Sequence, residues 1–435
     1  MNLSYTQTLG NPFLVASQHK NAWCTEYVET NKRLRVMVYT QISDVPHTWD
    51  MIALQQNAML GRSFLQALET SPPTDSRPVY LLFYEYQQPV GLAYCQLVDF
   101  KASESISRAP IGGIKEGDKL TLQECMFSSI GKCFKEFVAK RVAFHALVCG
   151  NMLLTGEHGH CFVEKIDKKR SFEMLSQGVD IARDALEKEL NLSISITLFK
   201  EYFKPTLAYT DALRESGSYE FEVQPNMIFH LQPEWTQFDQ YMAALGSKYR
   251  VRAKRAFKKL GDLECRELSV ADLEAHEAEM HHLYKAIAST AEFNAVYLQK
   301  GYFLNLKQHL KDDFCVKGYF ENDKLIGFLT ALRNGHELEA HFLGFDDTYN
   351  HSHQLYLNML YELVRLGIAW RASSIVYART ALEIKSSVGA EPYPMYYYIR
   401  HKSGISSKML KSLFEYLQPT PTEWQPRRPF AKGEE

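Results

Sequence analysis

The sequence predicts an α/β fold with mixed sheets, built twice over in one chain. A hairpin of two apolar strands falls at residues 79–98 and again at 316–334. Each hairpin leads to a further apolar strand that carries a histidine, AFHALVCG around His145 and EAHFLGFD around His341. A helical segment and another strand follow in both places. An order of elements repeated in this way is most economically a duplicated α/β unit, the alternative being two unrelated α/β domains. The length of 435 residues fits two or three domains of ordinary size.

The elements follow in order. Residues 34–40 (LRVMVYT) and 79–86 (VYLLFYEY) are rich in β-branched and aromatic residues and read as strands. Between them Trp49, Ile52, Ala53, Leu60, Phe64 and Leu68 recur at helical spacing, which predicts a helix within 45–68. The second strand turns through Gln87-Gln88-Pro89 into 90–98. The later hairpin turns at Asn322-Asp323, and laid over the first it matches Gly91 with Gly327, Val90 with Ile326 and Glu85 with Glu321. The first unit carries an insertion at about 99–140 that ends in an amphipathic segment, 120–138. A long helix is expected at 169–190, then a break near 215–225, where Glu215-Ser216-Gly217-Ser218 leads into the strand EFEVQPNMIFHL. Two domains, 1–219 and 220–435, are expected. A helix at 355–369 and a strand at 374–378 continue the second, and a Pro-rich tail, 418–435, should run extended over its surface.

Lys plus Arg (49) nearly balance Asp plus Glu (51), for a net charge of −2, which disfavours a protein whose role is to coat nucleic acid. The balance conceals KYRVRAKRAFKK at 248–259, inside a helix expected over 235–260, with Lys248, Arg252, Arg255 and Lys259 on one face. A solvated helix is the plain reading. The functional one is a surface for an anionic carrier: a CoA diphosphate, a tRNA, an acyl carrier protein or an acidic membrane face. No RRM, KH or helix-turn-helix signature accompanies it, so sequence-specific nucleic-acid reading is not expected. The eight cysteines form no CxxC pair or zinc spacing, so no metal site and reduced thiols are expected. The N-terminus lacks a signal-peptide pattern, and the most apolar run, 142–154, is too short to span a bilayer. A cytoplasmic protein without a transmembrane segment follows.

Two constellations carry chemistry. CGNMLLTGEHGH places Gly150, Gly156 and Gly159 ahead of a helix, where glycines let backbone N–H groups approach a phosphate. The same glycines would equally serve a turn that needs positive φ, and neither GxGxxG nor GxxxxGK[ST] is present. In the second constellation, strand alternation puts Glu337, Glu339 and His341 on one face and Leu338, Ala340 and Phe342 on the other. Titratable groups on one face of a central strand fit a cleft in which a carboxylate or imidazole accepts a proton from an amine. Arg379 and Lys385, at the end of the next strand and the start of the next helix, can neutralise a phosphate or a developing oxyanion.

ELEAHFLGFDDTYN, the helix that follows it, ARTALEIKSSVGAEP and WTQFDQYMAALGSKYRVRAKRAFKK resemble a bacterial group of tandem GNAT acyltransferase-like proteins, distantly related to the Fem-type transferases. The closing Pro-Arg-Arg-Pro-Phe resembles it too. The likeness covers about 220–430 and extends to the first half through the repeat and CGNMLLTGEHG. It implies two GNAT-like domains in tandem and acyl transfer to an amine without a covalent enzyme intermediate. It also implies a bulge or splay beside the fourth strand that offers backbone N–H to the acyl carbonyl. The phosphate-holding loops would be 150–159 and 345–353, the latter with Asp346 and Tyr349, although neither has the usual Q/R-x-x-G-x-G/A pattern.

The expected function is therefore an N-acyltransferase that uses acyl-CoA or another acyl carrier as co-substrate, with no tightly bound cofactor. Its acceptor is a primary amine of an amino acid, amino sugar or amino lipid precursor. Glu339 or His341 takes the proton, and Arg379 and Lys385 hold anionic groups. The alternatives are an aminoacyl-tRNA-dependent Fem-like transferase, with the basic helix on the tRNA, and a catalytically inactive GNAT-fold binding module. Peripheral membrane contact through the basic helix stays open.

Overall fold

The computed structural model describes residues 22–29, 32–101, 143–290, 296–403 and 424–430; the amphipathic segment expected at 120–138 lies outside them. The first half comprises β1 (Ala22–Glu29), β2 (Lys32–Tyr39), α1 (Thr48–Ala53), α2 (Arg62–Thr70), β3 (Ser76–Glu85), β4 (Gln88–Lys101), β5 (Ala143–Cys149), β6 (His160–Phe162), α3 (Lys168–Leu190), β7 (Ile194–Phe203), α4 (Asp211–Glu215) and β8 (Tyr219–His230). The second half begins with α5 (Phe238–Ala244), α6 (Ser247–Leu260), β9 (Glu264–Glu267), α7 (Val270–Ala275), α8 (Glu277–Ala288) and α9 (Tyr302–Leu310). It continues through β10 (Phe314–Glu321), β11 (Lys324–Asn334), β12 (Glu337–Phe345), α10 (Asp347–His353), α11 (Leu355–Ala369), β13 (Ser374–Val376), α12 (Leu382–Ser386) and β14 (Glu391–His401).

All the strands form one mixed sheet in the order β1-β2-β3-β4-β5-β7-β14-β8-β13-β12-β11-β10-β9, with β6 on β4. The order reads almost the same from either end, and its centre is the β14–β8 pair. In each half an antiparallel run ends in one parallel step, β5 to β7 and β12 to β13. Each half then sends its last strand across: β14 pairs with β7, and β8 pairs with β13. The hairpins repeat in detail. Phe83 faces Gly91 and Tyr319 faces Gly327, and both ladders shift register at the next residue. The turns are tight, with Tyr86 (φ 50) and Gln87 (φ 79) in one and Asn322 (φ 48) and Asp323 (φ 63) in the other. The first turn thus sits one residue earlier than the Gln87-Gln88-Pro89 expected.

Two expected helices are each broken. Within 45–68, Asn57 is extended (φ −156, ψ 106) and its side chain accepts from Met59 N, so α1 and α2 are separated by a short 3-10 turn. Within 235–260 the break is Leu245-Gly246, where Leu245 bridges to Phe430 and Gly246 N donates to Pro429 O. Arg250 closes the end of α5 by donating to the carbonyls of Met242, Ala243 and Leu245. That cation is spent on capping. β1 had no counterpart in the sequence reading. No helix among the described residues is long and apolar enough to cross a membrane.

One sheet face of the first half packs on α3 and the matching face of the second on α11. The opposite faces share one core: Trp49, Phe64, Tyr80 and Tyr94 pack with Tyr284, Tyr302, Phe303 and Phe328. At about 1.5–3 kcal/mol for each large apolar side chain buried, this core ties the halves together.

Candidate active site at the junction of the halves

The parallel steps bring the ends of β5 and β7 beside those of β12 and β13, so the polar residues there meet across the junction. The first observation is in β7, where Lys200 and Glu201 are consecutive yet both buried. Glu201 takes φ 61, and the β7–β14 register slips so that this pair stands opposite Tyr397. Both side chains therefore turn to one side, with Lys200 Nζ 2.8 Å from Glu201 Oε1. Lys200 also donates to Leu154 O at 2.5 Å, and Glu201 Oε2 accepts from Gly156 N at 2.6 Å.

Arg379, just past β13, completes the group. Its guanidinium lies 3.2 Å from Glu201 Oε1 and donates to the Tyr397 hydroxyl at 3.1 Å, which itself donates to Glu201 at 2.8 Å. Burial raises the Glu201 pKa, but Lys200 and Arg379 outweigh it and the carboxyl stays below its usual range. Burial brings Lys200 down to about 8. Lys385 on α12 is 5% exposed and donates only to carbonyls, Arg379 O at 2.5 Å and Ala378 O at 3.2 Å. Burial, with Arg379 adding to it, lowers its pKa to about 7.

On β12, Glu339 is 6% exposed, and burial, with Glu337 next, raises its carboxyl to about 8. His158 Nε2 lies 3.6 Å from Glu339 Oε1. Asn57 Nδ2 approaches His158 Nδ1 at 2.9 Å and Thr155 O approaches Nε2 at 3.2 Å, which assigns the proton to Nε2. Burial lowers His158 to about 4, so at neutral pH the two face each other as a neutral imidazole and a carboxylic acid, not as an ion pair. His341 accepts from, or donates to, the Tyr302 hydroxyl at 2.6 Å, and burial lowers its pKa to about 3.

The alternation expected along β12 holds as far as Ala340 and then breaks. The β11–β12 register shifts between Leu329 and Ala331, and Thr330 Oγ1 both accepts from Phe342 N and donates to Phe342 O, each at 2.8 Å. The resulting bulge puts Phe342 on the His341 side, packed on Tyr302 and Tyr284, instead of with Leu338 and Ala340. Pairing of β12 to β13 also stops at Glu339–Val376, so the strands part just where the bulge begins.

Arg379 and Lys385 thus join the Lys200–Glu201 group, and Glu339 lies next to it, 3.6 Å from His158, with His341 further along the same strand. The glycine loop joins through Gly156. Gly150 N donates to Tyr94 O and Gly156 N to Glu201, so both N–H groups are already taken. Gly150 (φ 127) and Gly156 (φ 122) need glycine for their backbone, whereas Gly159 needs it to approach Gly150. Asp346 and Tyr349 do not join. Asp346 accepts from Thr348 N at 3.0 Å and Tyr349 donates to Glu321 at 2.7 Å, at the far end of β12. The two strand histidines are not counterparts either: the ladders match His145 to His336 and His341 to Gly150, and His145 sits 2.7 Å from Asp99. The sequence reading missed Asn57, His158, Lys200, Glu201, Tyr302 and Tyr397. Only Lys200-Glu201 carried a signal, as two adjacent charges inside the apolar strand ITLFKEYF. Among the described residues no group of three or more His, Cys, Asp or Glu is placed to hold a metal ion.

On α6, Lys248, Lys254, Arg255, Lys258 and Lys259 are exposed, whereas Arg252 is turned partly inward. The face is therefore more cationic and differently composed than the four residues expected.

No protein-family model matches the sequence, nor does any curated protein. Among solved structures the chain is similar to FemX, at 10% identity and TM-score 0.44, over 82% of this chain and 94% of that one. It is similar to a tandem GNAT protein from the clavulanic acid biosynthesis pathway, at 8% identity and TM-score 0.44, over 82% and 94%. A GCN5-related N-acetyltransferase from Sphaerobacter thermophilus matches at 8% identity and TM-score 0.38, over 84% and 95%. Strand by strand, the order of the chain itself is that of two similar halves joined in one mixed sheet.

Proposed function

We propose that the protein is an N-acyltransferase that moves an acyl group from acyl-CoA or an acyl carrier protein to a primary amine of an amino acid, amino sugar or amino lipid precursor. One observation carries the reading: a buried carboxyl group, Glu339, sits where β12 bulges and parts from β13. Beyond Glu339 the β12 backbone has lost its neighbour on that side and can face an acyl carbonyl. Glu339 as carboxylate takes a proton from the acceptor ammonium, and the amine attacks the carbonyl carbon. The carbon–sulfur bond then breaks, the carrier thiolate leaves with the proton returned from Glu339, and the second proton of the attacking nitrogen passes to solvent, which leaves a neutral amide. His341, with its far lower pKa, is the weaker base, and its ring is held by the Tyr302 hydroxyl. Arg379 and Lys385 hold anionic groups at the junction.

The chemistry belongs to the second half. The position matching Glu339 in the first half is Val148, and where β12 bulges the first half leaves β4 through the loop 150–159 and resumes pairing as β6. The cations of α6 favour an anionic carrier docking on the outside, and a cytoplasmic location fits such a donor. They equally support a second reading in which the donor is an aminoacyl-tRNA. Amide formation from CoA thioesters, acyl carrier proteins and aminoacyl-tRNA, each offered with a panel of amines, tests both. A donor active at low salt whose rate falls steeply as salt rises, and falls again in Lys254→Glu/Arg255→Glu, identifies the carrier that uses α6. Wild-type turnover that survives Glu339→Gln would sink the assignment of the base.

A further inference from the structure

A cavity of about 540 Å³ lies beside this junction, lined by Gln224 of β8, Arg252 of α6, the turn and helix start from Thr380 to Ile384 with the carboxylate Glu383, and Trp424 and Arg427 of the tail. Its size lies within the range of small-molecule sites, roughly 300–1,000 Å³. We propose that it binds the acidic group, phosphate or carboxylate, of the acceptor amine; this rests on the acyltransferase reading above.

Three observations support an anion there. Among the described residues Arg252, which lines the cavity, has no carboxylate partner. Arg427 is held in place by Glu383 and by its N–H to Ser386 Oγ, so it is a fixed wall of the cavity. The residues that bracket the lining turn are Arg379 and Lys385. Arg379 shares the single carboxylate Glu201 with Lys200, and Lys385 has only carbonyls. Of the charged residues that line the cavity, Arg427 pairs with Glu383 and Arg252 is left over, and an anion restores the balance.

The turn itself is strained. Ala378 (φ 58), Thr380 (φ 68) and Ala381 (φ 48) are three non-glycine residues in the left-handed region within four positions. Such strain persists where surrounding structure over-determines it, and it concentrates at ligand sites. Trp424 supplies an apolar wall for the carbon skeleton.

Thermal shift and calorimetry of the whole protein test this with O-phosphoethanolamine, β-alanine and ethanolamine as probes, and CoA as the donor arm. The proposal expects one of the two acidic amines to raise the Tm, ethanolamine not to, and Arg252→Gln to weaken that acidic amine by about tenfold or more. Which acidic amine responds distinguishes phosphate from carboxylate. Arg252→Gln should keep the wild-type far-UV spectrum, and Trp424→Leu gives a second variant that should also weaken binding. The proposal is overturned if neither acidic amine binds at about 10 mM, if ethanolamine binds as well, or if Arg252→Gln leaves binding unchanged. It is overturned too if Arg252→Gln removes CoA binding and spares the acidic amine, because the cavity then belongs to the carrier. Binding is read without turnover, so failure to find acyl transfer would count against the acyltransferase reading and not against this site.

Discussion

Glu201 and Arg379 hold the same place in the two halves and pair with each other, carboxylate to guanidinium, at 3.2 Å. Counting along the ladders from Gly91 and Gly327, Gln96 matches Leu332, Val148 matches Glu339 and Leu198 matches Val376, which brings Glu201 onto Arg379. The fold repeats, and the charges at its centre are complementary. The junction therefore depends on residues that differ between the repeats.

Glu201→Gln is expected to destabilise the protein by about 3–5 kcal/mol, because Lys200 and Arg379 are left with buried charge and no carboxylate. Urea unfolding at pH 7 measures it. The Glu201 pKa is lowered from 4.5 in the folded state, so its contribution is present above pH 4.5 and is lost as pH falls below that value. Wild type and variant should converge in acid.

Glu339→Gln should change stability with the opposite pH dependence. The Glu339 pKa is raised from 4.5 to about 8, so the folded state holds its proton more tightly than the unfolded chain does. Its contribution is complete below pH 4.5 and is lost as pH rises to about 8. Lys200 and Lys385, lowered from 10.5 to about 8 and about 7, favour folding as pH rises from there toward 10.5. The variant should therefore gain on wild type from pH 5 to pH 8, read as a shift in urea midpoint. A constant offset would contradict the assignment.

If Glu339 is the base, kcat/KM for amide formation rises with pH and reaches half its limiting value near pH 8. Glu339→Gln should lower it by about 10²–10⁴ and remove that limb. His341→Gln should keep the limb, because His341, at about 3, does not titrate in that range.

Gly156→Ala should cost about 1–3 kcal/mol. Its backbone is at φ 122, its added Cβ would lie 3.1 Å from His158 Nε2, and its N–H anchors Glu201. Gly335→Ala, at φ 59 with no atom within 4 Å of the new Cβ, is the control and should cost about 1 kcal/mol in thermal unfolding.

The repeated hairpins were readable because a glycine recurs at the same point of each, where a side chain would strike Phe162 in one and Leu355 in the other. Glu339, Arg379 and Lys385 were readable because charges at the ends of apolar strands need a reason. The resemblance implied a bulge beside the fourth strand, but its place at His341–Phe342 was not readable, because Thr330 makes it from the neighbouring strand. Nor were the helix breaks at Asn57 and Gly246, which depend on His158 and Pro429, about a hundred residues or more away in the chain. His145 looked like the counterpart of His341 because each lies in an apolar strand, but only the strand pairing shows the offset. The partners of β8 and β14 are likewise non-local, and no local periodicity encodes them.

The crossing of β8 and β14 has a further consequence. Each repeat completes the other's sheet, so the two are interlocked and cannot part as modules. A protease cut between β8 and α5 should leave two pieces that stay associated until denatured. Expression of either repeat alone should yield an aggregating chain with a raw central edge, since the strand that covers that edge is carried by its twin.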